Sequence, residues 1–121
     1  MSRLFSSVCA GSPSSIDNDE IFDLADHLIK HPHNTFYVTV RGNSMDEAGI
    51  HEGDILVVDS TLEAHPSDIV VAQTPEGFTV KRFTQEQGRL RLVPANPEYK
   101  AIDTSEDARV CGVATFAIRR L

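Results

Sequence analysis

The chain has no tryptophan, only two cysteines, few aromatics (7%) and no excess of positive charge. Cys9 and Cys111 stand far apart, which excludes a disulfide framework or a zinc-binding spacing. The five histidines, His27, His31, His33, His51 and His65, show no metal-ligand spacing with a carboxylate or cysteine. No metal and no cofactor are therefore expected. Long apolar runs are missing too, which excludes a membrane-spanning helix. Residues Met1 to Ala10 hold Leu4, Phe5 and Val8 beside Arg3 but no continuous apolar core for a signal peptide, so the cytoplasm is the expected compartment. Lysine and arginine number 11 against 18 aspartates and glutamates, a net charge of −7. Direct nucleic-acid binding wants a basic face, so the expected partners are proteins.

What is present fits one domain. With 121 residues, 40% of them apolar and 24% charged, the chain can bury roughly two-thirds of its unfolded surface. Met1 to Ile16 is serine-rich, carries Gly11 and Pro13, lacks periodicity and reads as an extended arm. Asp17 and Glu20 have the spacing of a capping box. Ile21, Leu24, Ala25, Leu28 and Ile29 follow at helical spacing, predicting a short amphipathic helix from about Asn18 to Lys30. His31-Pro32 ends it, because proline disfavours helical geometry in the residue before it. Beyond that, short stretches rich in Val, Ile, Phe and Thr alternate with turn residues. They predict strands at Thr35–Val40, Asp54–Asp59, Asp68–Gln73, Gly77–Phe83, Arg89–Val93 and Arg109–Ile118, with a hairpin turn at Glu76-Gly77. The fold class is mostly β: a compact, curved antiparallel sheet with an N-terminal arm and one short helix.

The chemistry concentrates between Val40 and Asp54, VRGNSMDEAGIHEGD. Here a strand breaks into a turn that carries Ser44 next to Gly42 and Asn43, and Gly49 and Gly53 return the chain to the next strand. A hydroxyl exposed at such a break, with backbone N–H groups converging beside it, supplies a nucleophile and an oxyanion hole. The N–H groups of Ser44 and Asn43 are the expected donors. Lys81, inside the apolar strand Phe78-Thr79-Val80-Lys81-Arg82-Phe83, is the candidate base. Alone, a serine in a Gly-Asn-Ser turn is an ordinary turn residue, and a strand lysine commonly snorkels to solvent. Together they form a plausible dyad, since the two intervening strands can fold Lys81 back over Ser44. Burial disfavours the lysine cation and lowers its pKa from ~10.4, leaving a neutral amine able to take the serine proton. Asp46 and Glu47 read as solvated turn carboxylates. Asp54 and Asp59 read as partners for backbone groups or surface cations, and Cys111 as a small core residue.

Gly42-Asn43-Ser44-Met45, then Ala48-Gly49-Ile50, Glu52-Gly53-Asp54, Val57-Val58-Asp59 and Thr79-Val80-Lys81-Arg82, resemble the self-cleaving serine–lysine family of LexA, phage repressors and UmuD. The likeness runs from about Ala10 to the C-terminus. No DNA-binding domain precedes it, so the likeness is greatest to the UmuD branch. The resemblance implies a β domain of the LexA/signal-peptidase type over residues 34–121. Residues 1–33 would hold an arm with a cleavage site and the short helix. Val8-Cys9-Ala10-Gly11-Ser12-Pro13 is similar to the family's cleavage segment, which places the cut at Ala10-Gly11, with Cys9-Ala10 as the alternative. Ten residues precede that bond, fewer than the family leads one to expect. The resemblance further implies an SOS-response role. Cleavage would be promoted by the RecA filament on single-stranded DNA, and the trimmed homodimer would serve a UmuC-type error-prone polymerase. Two other readings stay open: the regulatory domain of a LexA-like or phage repressor, and a non-catalytic β-domain adaptor.

Overall fold

A computed structural model describes residues 23–99, 102–103 and 108–121. The serine-rich arm, the Asp17/Glu20 capping box and the Ala10-Gly11 bond lie outside the described residues. Helix α1 spans Leu24–Leu28 and is capped by Asp23, whose carboxylate accepts from the Ala25 N–H. The expectation of one continuous helix from Asn18 to Lys30 is corrected here, because Asp23 is extended (φ −98°, ψ 112°). An aspartate whose side chain bonds a nearby backbone N–H favours a cap over a helix interior. The helix also stops earlier than expected, with Ile29 already extended, ahead of the short 3₁₀ turn Pro32–Asn34.

Among the described residues seven strands follow: β1 Thr35–Thr39, β2 Ile55–Asp59, β3 Ile69–Thr74, β4 Gly77–Glu86, β5 Arg89–Val93, β6 Ile102–Asp103 and β7 Arg109–Ile118. They form one sheet in the order β1-β2-β7-β3-β4-β5-β6, and every pairing is antiparallel. The β3–β4 hairpin turns through Pro75 and Glu76, one residue earlier than expected. Thr74 closes it, its hydroxyl accepting from the Glu76 N–H and donating to the Gly77 carbonyl.

The sheet curls because β7 is shared between β2 and β3 through two register shifts, one at Val57/Val58 and one at Val71/Ala72. Bulges increase local twist and bend the strand that carries them. β3 consequently buries both its faces. Val71 joins Val40, Met45, Ile50, Leu56 and Val58 in one core cluster, while Val70 and Ala72 join Phe83, Leu92 and Val113 in the other. The first cluster lies under the loop between β1 and β2, and that loop carries Ser44.

Candidate active site

The loop from Val40 to Asp54 is fastened by apolar side chains at intervals. Val40, Met45 and Ile50 are all buried in the first cluster, Met45 at 1% exposure. Met45 follows Ser44 directly, so its burial fixes the backbone that presents the hydroxyl. Gly42 and Gly49 take left-handed backbone conformations (φ 79° and 77°) on either side, which a side chain would strain. Between them, Asp46–Ala48 forms a 3₁₀ turn. The Gly42 N–H is held by the Glu52 carboxylate at 3.0 Å, and the loop closes on itself through Val40 N–H to Asp54 O (2.8 Å) and Gly53 N–H to Val40 O (2.9 Å).

Asp54, at 1% exposure, anchors the far end of the loop. It accepts from the His51 N–H and, through both oxygens, from the Arg119 guanidinium at 2.8 Å, while Arg119 also donates to the Gly49 carbonyl. These bonds hold the Asp54 carboxyl far below the usual carboxylate range, the Arg119 bond being the largest cause. Asp59, at the other end of β2, is held down to about 2 by hydrogen bonds from His31 and Thr61. Both aspartates thus bind backbone N–H groups, and Asp54 also binds a cation, the Arg119 guanidinium. Asp46 is partly covered and bonded to the His51 ring at 2.9 Å, while Glu47 is exposed.

Lys81 reaches Ser44 from β4. Its Nζ lies 3.1 Å from Ser44 Oγ, 2.6 Å from Thr79 Oγ1 and 3.1 Å from the Val80 carbonyl oxygen. The residue is 8% exposed, and burial pushes its pKa down from the ordinary lysine value. A neutral amine has two N–H groups and one lone pair. With the N–H groups spent on Thr79 and Val80, the lone pair is left for the serine proton. The pair sits in a groove of about 410 Å³ lined by Val38, Thr39 and Val40 from the β1 side and by Phe78 to Lys81 from β4, with Asn43, Ser44 and Tyr99 completing its lining. β1 and β4 are not neighbours in the sheet, so only its curl lets them face each other.

The structure brings Ser44, Asn43 and Lys81 together. Ala10 and Gly11 lie outside the described residues. Cys111, expected in the core, is instead half-buried on β7, its thiol 3.7 Å from the Arg109 carbonyl, and it does not line the groove. No cluster of three metal-ligating side chains occurs among the described residues, and no helix there is long and apolar enough to cross a membrane. Thr79 is a site residue that sequence reasoning missed. Its signal was available: it sits two residues from Lys81 and therefore on the same strand face. Asn96 and Tyr99, which bond Asn43, carry no such local signal.

The family model described as Peptidase S24-like matches residues 3–115. The chain belongs to this family of self-cleaving serine peptidases. It is 40% identical to Protein SamA of Salmonella typhimurium over 90% of its own length and 76% of SamA. It is 36% identical to Protein MucA of Salmonella typhimurium, over 92% of this chain and 79% of MucA. A LexA repressor of Paracidovorax citrulli is 37% identical over 98% of the chain, which spans 54% of that repressor.

Proposed function

We propose that the chain is a UmuD-like self-peptidase that cuts its own arm between Ala10 and Gly11. The observation that carries this reading is the 3.1 Å contact between a buried Lys81 and Ser44, both lining one groove. Neutral Lys81 takes the Ser44 proton as Oγ attacks the Ala10 carbonyl carbon. The carbonyl oxygen becomes an oxyanion held by the N–H groups of Ser44 and Asn43. The C–N bond then breaks and Lys81 returns its proton to the Gly11 nitrogen. Water, deprotonated by the same amine, hydrolyses the ester and frees Ser44. Glycine after the cut admits close approach of the backbone, and an extended arm can lie along a groove walled by strands.

The family supports the RecA filament on single-stranded DNA as the promoter of cleavage. It likewise supports a trimmed homodimer working beside a UmuC-type error-prone polymerase, in the cytoplasm. In this reading residues 1–33 are the arm with its cleavage site and the short amphipathic helix, and residues 34–121 the serine–lysine peptidase-like β domain. The LexA match favours a second reading, the regulatory self-cleaving domain of a repressor. Purified chain incubated at alkaline pH and weighed by mass spectrometry is expected to yield a fragment beginning at Gly11, and Ser44→Ala is expected to yield none. A wild-type chain that stays whole under RecA filament as well would instead support a non-catalytic adaptor.

A further inference from the structure

The loop after β5 is built as a bracket around the residue that precedes Ser44. Ala95 packs on the first core cluster, and its carbonyl accepts from the Glu47 N–H at 2.8 Å. Asn96 Nδ2 donates to the Asn43 carbonyl at 2.9 Å, and the Tyr99 hydroxyl donates to Asn43 Oδ1 at 2.5 Å. The bracket is itself braced. Asn96 Oδ1 accepts from the Glu98 N–H at 3.0 Å, and the Asn96 carbonyl accepts from the Tyr99 N–H at 3.1 Å. The Asn96 amide satisfies both contacts in one orientation only, since a carbonyl needs its NH₂ and an N–H needs its oxygen.

Planarity turns these contacts into a statement about Ser44. The Asn43–Ser44 peptide is trans, so the Asn43 carbonyl and the Ser44 N–H point in opposite directions within one plane. Tying the carbonyl to Asn96, with the Asp46 N–H adding a longer contact at 3.3 Å, sets the direction of the Ser44 N–H. The plane of this peptide turns about Asn43 ψ and Ser44 φ, the soft backbone torsions on either side of it, and a tether on its carbonyl restrains that turn. We infer that Asn96 and Tyr99 are positioning residues that hold the Asn43–Ser44 peptide with its N–H turned into the groove as an oxyanion donor. The inference rests on the self-peptidase reading above. Its distinct content is that the oxyanion hole is set by a loop far along the chain from the nucleophile.

The test is the rate of self-cleavage by the full chain from pH 6 to pH 10, in wild type, Asn96→Asp and Tyr99→Phe, with a thermal melt of each. Asn96→Asp keeps the shape and the acceptor for Glu98 but replaces the donor to Asn43 with a carboxylate oxygen and adds a negative charge, so the charge-neutral Tyr99→Phe is the control for that charge. Loss of one oxyanion donor costs about 10²–10³ in rate, so a donor left untethered is expected to lower the alkaline plateau about tenfold or more. The apparent pKa in Tyr99→Phe is expected to stay at the wild-type value, because Lys81 is untouched. Melting temperatures are expected to stay near wild type. Plateau rates within about twofold of wild type in both variants would overturn the inference. So would a Tyr99→Phe profile that shifts along the pH axis with its plateau intact. A rate loss that only follows a lost melting transition in both variants would also overturn it. If Asn96→Asp alone fails to fold, Tyr99→Phe decides, with a several-fold lower plateau as the supporting result. Wild type that never cuts would defeat the self-peptidase reading itself, whereas cutting wild type with unaffected variants defeats the bracket alone.

Discussion

At the scale of single residues, the site sets a lysine where a lysine is costly. Lys81 occupies a buried strand position, and its three contacts are a hydroxyl, a second hydroxyl and a carbonyl, with no carboxylate among them. Its folded pKa is lowered by burial. Between the folded and unfolded values the unfolded chain binds a proton that the native chain does not, so stability rises with pH across that window. Below it the full cost of burying the charge is present. Lys81→Met keeps the length and removes the charge. It is expected to abolish cleavage, to melt above wild type at pH 7, and to lose that advantage as pH climbs toward ~10.4. Wild-type cleavage should rise about tenfold per pH unit until the lysine's own pKa is passed. A Lys81→Met chain that melts lower than wild type across the whole range would show the amine to be structural. The contact between Ser44 and Lys81 was legible in the sequence only when the two were read together with their flanking motifs, since a turn serine and a strand lysine are each ordinary alone. Thr79 could have been found from its place two residues from Lys81 on the same strand face, whereas Asn96, Tyr99 and Arg119 broke no pattern, and only tertiary contact gives them meaning.

At the scale of elements, alternating β-branched residues made the six longer strands readable to within a few residues. β5 and β7 match their expected ranges, whereas β4 runs three residues further, to Glu86. The two-residue β6, Ile102–Asp103, was invisible, since a pair of residues has no period. The register shifts were invisible for a different reason: a bulge is set by what two strands must avoid. Gly112 shows this. It sits opposite Val71 on β7, and a Cβ there would stand 2.7 Å from Val58 Cγ1 and 3.1 Å from the Asp59 carbonyl oxygen. β7 therefore lies against β2 at a spacing that only glycine permits. Gly112→Ala is expected to destabilise the fold by about 1–3 kcal/mol, as forced overpacking does, read from urea unfolding. Because β2 leads directly out of the Ser44 loop, cleavage should slow as well. An alanine variant as stable as wild type would mean that β2 can give way.

At the scale of the molecule, β2 is the strut between two carboxylate clamps, one closed by a guanidinium and the other by hydrogen bonds. Asp54 at its start binds Arg119 beyond the end of β7, and Asp59 at its end binds His31 and Thr61, tying in the segment that leads from α1 to β1. Local sequence gave no hint of Arg119 or His31, because each lies far along the chain from its aspartate, whereas Thr61 stands only two residues from Asp59. Both carboxyls titrate lower in the folded chain than in the unfolded one, Asp59 at about 2 and Asp54 lower still. For a depressed carboxyl the unfolded state takes up protons first as pH falls, so the clamps contribute fully above the unfolded value of ~3.9 and are lost below it. The melting temperature is therefore expected to drop as pH falls from about 4 toward 2. Asp59→Asn preserves the shape but accepts more weakly from His31. It should melt below wild type at pH 6, and the gap should shrink through the same acid window, because wild type loses there what the variant never had. The measurement is a melting series from pH 6 to pH 2 on both chains. A gap that stays constant down to pH 2 would place the effect of Asp59 in packing and not in its charge.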